Sequence, residues 1–472
     1  MRPGKTERMR ETAWRRTAAA LGPGHRLAVI GALLVGLTLL GASFRPPAGG
    51  DPAIDDTGMA IVAVILCIAG LLYLGAVAIV LGPGLPRRAF WGILACAAVM
   101  RCILLLTPPF LSTDIYRYVW DGRVQNAGIN PYRYLPADPH LAALRDDTIY
   151  PWINFVDSEA TLYPPAAQAI FAAVARISPT IAGMKLALTG FETLAIAVLL
   201  WLLRRAGLPR EQVLVYAWHP VPLWEIAGNG HIDAAAVAFL ALALLARSYR
   251  RPGWVGMTLG CATLVKLLPI TLAPALWRRW DWRMPAALAA TLILGYLPYL
   301  GVGMGVFGSL LDHINDEGLI HGDGYYPLYA LGQLVTLPHI ATAIYVGGGL
   351  AVLAVLAMRI AWREQRPEPE ETLAVARDCL ILATGVIVFM TPTHPWYFVW
   401  LVLFSCLVPR PAVLALTALS PLTYFAFSDA GENAELIMYV VFWALLALGL
   451  RSRARSAMPQ PTFPAAEVQK AH

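Results

Sequence analysis

From Leu27 to Leu450 the chain is a succession of apolar runs separated by short polar punctuation, many of them near the length that spans a bilayer. A hydrocarbon core takes about 20 apolar residues per helix. Backbone inside that core must satisfy its own hydrogen bonds, so a chain patterned this way folds as helices. With 58% of its 472 residues hydrophobic and 14% charged, it has too little charged surface for a soluble domain of this size. The pattern predicts an all-α polytopic membrane protein, a bundle of about a dozen crossing or part-crossing helices. A basic N-terminal segment (1–26) and a tail (451–472) flank one membrane domain (27–450).

The net charge of +6 comes from Lys and Arg gathered in short loops between apolar runs, which is how membrane topology is encoded rather than how nucleic acid is bound. Arg2, Lys5, Arg8, Arg10, Arg15, Arg16 and Arg26 precede the first run, so both that end and the Arg451, Arg453 and Arg455 tail are expected in the cytoplasm. The long basic leader and the many later runs favour a retained anchor over a cleaved signal peptide. Basic turns at Arg87-Arg88, Arg204-Arg205 and Arg247 to Arg251 then place two external loops, residues 108–163 and 301–326. Trp254 to Trp277 lies between two basic clusters, which requires a bend; Gly260, Pro269 and Pro274 offer the break, with Lys266 beside it. The six cysteines lie in or beside apolar runs with no metal spacing, and read as small core residues.

Within the first external loop, Ser112 to Tyr132 is polar, aromatic and charged where its surroundings are apolar, and is taken as a catalytic loop. Asp114 is the candidate general base, since a positioned carboxylate makes a hydroxyl nucleophilic by taking its proton. Helix capping by Ser112, Thr113 and Asp114 is the plain alternative. Arg117, Arg123 and Arg101 are candidates for holding a phosphate, which guanidinium grips with two charge-assisted hydrogen bonds. Arg101 lies inside an apolar run, where an unpaired charge costs about 2.5 kcal/mol or more, so a carboxylate partner is its alternative. Tyr118, Trp120, Asp121 and Tyr132 supply faces and hydrogen bonds that suit a sugar. A second polar cluster holds Glu225, Asn229, His231 and Asp233; a plain turn explains its glycines but not its charges, and two close ligands do not define a metal site. Lys266 and His394 are read as anion contacts, and Trp396 and Tyr397 as a sugar platform or an interfacial aromatic belt.

Asp114, Tyr118, Asp121-Gly122, Asn130-Pro131-Tyr132, Trp218-His219-Pro220, Glu225, Gly230-His231, Asp233, Lys266 to Pro269 and His394 to Tyr397, in this order, resemble the GT-C glycosyltransferases. Within that superfold the chain is similar to bacterial polyprenol-phosphate-mannose-dependent mannosyltransferases of the family 87 type. The resemblance implies a GT-C-like bundle in the inner membrane with its active site on the external or periplasmic face. It further implies inverting transfer of a sugar, mannose foremost, from a polyprenyl-phosphate donor to a lipid or glycan acceptor, with Asp114 as base; the residues themselves indicate no cofactor and leave a divalent metal open. Two other functions stay open from the residues alone. One is a secondary transporter or lipid-linked glycan flippase; the other is a glycan ligase using a polyprenyl-diphosphate donor.

Overall fold

Because lipid offers the backbone no hydrogen-bond partners, the apolar runs fold as helices in the order the sequence sets. The computed structural model describes residues 22–44, 56–307, 318–319, 321–322, 324–338, 340–427 and 433–457, and among them there is no strand. Helix α1 (Pro23–Ala42) packs against α2 (Asp56–Leu81) and α3 (Ala89–Leu105). Next, α4 (Asp114–Asn126) and α5 (Pro165–Ile177) pack on each other, followed by α6 (Ile181–Arg205), α7 (Asp233–Ser248), α8 (Pro252–Thr263) and α9 (Arg283–Tyr296), each against the next. The chain continues through α10 (Ile340–Ala361), α11 (Glu370–Met390), α12 (Val399–Ser405), α13 (Pro411–Leu419) and α14 (Ala434–Ala457). Seven of these are long and apolar enough to cross a membrane: α1, α2, α6, α9 with its extension to Phe307, α10, α11 and α14. Residues 1–21 of the basic leader, Asp51 and Asp55, the acidic part of the second external loop (Asp312, His313, Asp316, Glu317, Asp323) and the tail beyond 457 lie outside the described residues.

The stretch expected as a catalytic loop is largely helical. Its polar residues are α4, whose Asp114, Tyr118 and Asp121 recur at the three- and four-residue spacing of one helix face. α4 lies close on α5: a Cβ added at Gly122 would sit 2.4 Å from the Phe171 carbonyl oxygen, so glycine is what permits the approach.

At the centre runs a segment buried without interruption from residue 212 to 238. It is a broken helix. Leu214–Ala217 ends before His219-Pro220, and a π-helical turn, Leu223–Gly228, follows. The break is held by side chains: Tyr73 donates to the Val215 carbonyl (2.7 Å), Trp218 Nε1 to that of Ile93 (2.8 Å), and His219 Nδ1 accepts the Val221 N–H (3.2 Å). Broken backbone at membrane depth persists only with such partners.

The Trp254 to Trp277 stretch bends. α8 starts just after Arg251 and rises to Thr263, and Lys266 then meets Asp233 at the start of α7. Leu268–Leu272 and Ala273–Leu276 carry the chain back until the Leu276 carbonyl accepts from Arg247, at the far end of α7. One end of the bundle therefore collects Asp114, Asp233 and Lys266. The opposite end is tied by Arg247 and Arg363, both paired with Glu371 at 2.7 and 2.9 Å.

Candidate active site

Asp114 opens α4, its N–H bound by Ser112 Oγ at 3.2 Å, while Thr113 supplies no side-chain cap. Its carboxylate faces inward to the loop that follows. Oδ1 accepts from Asn154 Nδ2 at 2.8 Å and Oδ2 from the Tyr163 hydroxyl at 3.3 Å. Burial, with the Asp114 charge adding to it, pushes the Tyr163 phenol well above its usual range, so it stays protonated and donates.

Across from Asp114 stands the π turn. The extra residue in that turn sets Glu225 and Asn229 on one face, with Asn229 Nδ2 donating to Glu225 Oε2 (3.2 Å) and Tyr424 donating to Oε1 (2.7 Å). Asn229 Oδ1 in turn accepts the Leu111 N–H, which ties this turn to the approach to α4. Gly230 takes φ +76°, and a Cβ there would lie 2.3 Å from Ile115. This tight corner aims His231 between two carboxylates: Nδ1 is 3.8 Å from Asp114 Oδ2 and Nε2 3.3 Å from Glu225 Oε2. Its ring is stacked on Trp396 (4.1 Å between centroids), and His394 stacks on the same indole at 4.2 Å.

Lys266 completes the cluster. Its ammonium is 3.1 Å from Asp233 Oδ2 and 4.8 Å from the centre of the Tyr397 ring, with 16% of its side chain exposed. Tyr118 packs beneath, stacked on Phe171 and edge-on to Tyr163. The structure thus brings together Asp114, Tyr118, Glu225, Asn229, His231, Asp233, Lys266, His394, Trp396 and Tyr397 from four separate stretches of chain. Among the described residues no three His, Cys, Asp or Glu side chains form a metal-holding group.

The three arginines expected at a phosphate are placed otherwise. Arg101 pairs bidentately with Glu192 (2.8 and 2.6 Å) and also donates to the carbonyls of Ala97 and Ala217, so its fork is spent inside the bundle. Arg117 pairs with Asp121 (2.9 Å) and donates to the carbonyls of Asn154, Glu159 and Ala160. Arg123 pairs with Asp146 (2.6 Å) at the loop surface. Burial works to raise the Asp146 carboxyl, but the Ile149 N–H and Arg123 outweigh it and hold it well below the usual carboxylate range. Asp121 also accepts from Thr161 and Gln168. Trp120 is buried against Tyr150, and the Tyr132 hydroxyl donates to the Tyr163 carbonyl at 2.7 Å. Arg117, Trp120, Asp121, Arg123 and Tyr132 build the loop, while Arg101 braces the helix bundle.

Residues 21–281 match the family model described as alpha-(1->6)-mannopyranosyltransferase, N-terminal domain, which is more than half of the chain. The chain belongs to this mannopyranosyltransferase family. It is 24% identical over 486 aligned positions to alpha-(1->6)-mannopyranosyltransferase A of Mycobacterium tuberculosis, covering 92% of this chain and 90% of that one. No solved structure matches. Membership makes this a membrane glycosyltransferase of the GT-C type. Asp114, Glu225, His231, Asp233 and Lys266 fall within the part that the mannopyranosyltransferase model matches, while the His394 to Tyr397 rings and Tyr424 are added from beyond it. Asn154, Tyr163 and Tyr424 escaped the sequence reading, since each touches the site only through long-range packing. The one available hint for Asn154 and Tyr163 was their place in a polar loop that follows Asp114.

Proposed function

We propose that this mannopyranosyltransferase moves mannose from a polyprenyl-phosphate donor to a hydroxyl of a lipid or glycan acceptor at the external face of the membrane, with inversion. The observation that carries the reading is the convergence, from separate elements, of Asp114, with 21% of its side chain exposed, on His231, and of Lys266, with 16% exposed, on Asp233 two positions further on. Asp114 takes the proton of the acceptor hydroxyl as its oxygen attacks the anomeric carbon. The polyprenyl phosphate leaves from the opposite face, and Lys266, which has donors beyond the one toward Asp233, meets its growing charge. His231 stands between Asp114 and Glu225, its ring nitrogens 3.8 and 3.3 Å from their carboxylate oxygens. The His231, Trp396 and His394 stack offers the ring faces a hexose packs on.

A cavity of about 1120 Å³ supports a lipid donor. Its walls are mainly apolar side chains of α10, α11, α13 and α14, and it reaches Thr391, three positions before His394. Apolar walls of that kind suit an isoprenoid tail, with its phosphate at the pocket. Family membership favours this enzyme over a transporter or flippase. Inversion fits an α-linked product, the linkage in the relative's name, if the donor is β-linked.

The test is donor choice and stereochemistry. Purified protein in liposomes is given radiolabelled polyprenyl-phosphate mannose, polyprenyl-phosphate glucose or nucleotide-linked mannose, with a short mannoside as acceptor. Mannose leaving only the polyprenyl phosphate, with the anomeric configuration reversed, is expected; transfer from the nucleotide or retention of configuration contradicts the proposal.

A further inference from the structure

Both side-chain hydrogen bonds received by Asp114 come from one stretch of the external loop. Asn154 holds Oδ1 at 2.8 Å and Tyr163 reaches Oδ2 at 3.3 Å. The same stretch is clasped to α4 by Arg117, whose guanidinium donates to the backbone carbonyls of Asn154 (3.0 Å), Glu159 (2.9 Å) and Ala160. Arg117 in turn is held by Asp121, one helical turn on, and Asp121 is fixed by Thr161 and Gln168 at 2.7 and 2.8 Å. Phe155, next to Asn154, takes φ +53°, a conformation a bulky residue adopts only when its surroundings impose it. A chain of contacts therefore runs from α5 through Asp121 and Arg117 to Asn154 and ends on the carboxylate.

We infer that Asn154 is a positioning residue for Asp114 and that the Arg117–Asp121 pair is the clasp that keeps it there. The inference rests on Asp114 being the base. A carboxylate has two oxygens, and a proton acceptor works when one is aimed at the substrate and the carboxylate cannot rotate. The Asn154 amide donates to Oδ1 and turns Oδ2 toward His231 and the ring stack, which is where the acceptor hydroxyl arrives. Being neutral, the amide fixes the geometry without competing for the proton. It also explains why Arg117 points away from the pocket: a guanidinium beside Asp114 would hold the carboxylate charged and blunt it as a base.

Two substitutions separate positioning from bulk structure. Asn154→Ala is expected to lower kcat about 10- to 100-fold with KM for the polyprenyl-phosphate mannose donor changed less than about twofold, because geometry is lost and binding is not. Asn154→Asp places a second carboxylate against Asp114, and two such groups share a proton. The limb of the kcat/KM profile that reports the base is then expected to move at least about one pH unit upward. Melting of each purified variant in detergent is measured alongside. A wild-type rate in Asn154→Ala, an unmoved limb in Asn154→Asp, or activity that falls only with the amount of folded protein overturns the inference. Asp114→Asn in the same assay keeps the two levels apart: if it is inactive while both Asn154 variants behave as wild type, the positioning role fails and the base assignment stands.

Discussion

Arg101 carries the clearest lesson at the scale of a single residue. A guanidinium in an apolar run signals that a partner exists but not which one, and Glu192 is 91 positions away on α6. With its side chain fully buried, Glu192 is left uncompensated if the arginine goes. Arg101→Ala is therefore expected to cost about 3–5 kcal/mol of stability, read as a fall in the melting temperature of the detergent-purified protein. Replacing both partners by methionine is expected to recover most of that loss, since two apolar side chains leave no unpaired charge. A single mutant that melts like wild type contradicts the pairing. The same logic separates Arg101, Arg117 and Arg123 from Lys266: all were readable as cations near a site, but only Lys266 keeps its charge at the pocket.

Among the elements, what the sequence made legible was what local pattern encodes. Apolar runs set the helices, and two basic clusters flanking Trp254 to Trp277 demanded the bend that lifts Lys266 to Asp233. The helix Asp114–Asn126 was hinted at only by the capping residues Ser112, Thr113 and Asp114, because polar and aromatic composition looks like a loop until the packing of α4 on α5 is known. Gly122 is where that packing is decided. Gly122→Ala puts a methyl 2.4 Å from the Phe171 carbonyl oxygen and 2.7 Å from the Ala175 side chain. Neither helix can yield cheaply, so the change is expected to cost about 1–3 kcal/mol. It is also expected to lower transfer more than stability alone explains, because α4 carries Asp114. Melting and transfer rate measured on the same preparation check this, and an unchanged pair of values contradicts the close contact.

Across the whole molecule, the broken central segment, the bent stretch and the rings from Trp396 onward converge on one end, while arginine–carboxylate pairs lock the other. Thr391, among the residues lining the apolar cavity, lies three positions before His394 in the chain. Asp114 and the ring stack were foreseeable as polar islands in an apolar sequence; the supports that make them a site, Asn154, Tyr163 and Tyr424, were not, since hydrogen bonds spanning 40 to 199 positions leave no local mark. The central claim is that Asp114 takes the acceptor's proton. Its most direct test is the mannose transfer rate of Asp114→Asn in liposomes against wild type, with melting as the control. The account predicts a loss of about 100-fold or more at unchanged melting; a variant that transfers mannose at the wild-type rate contradicts it.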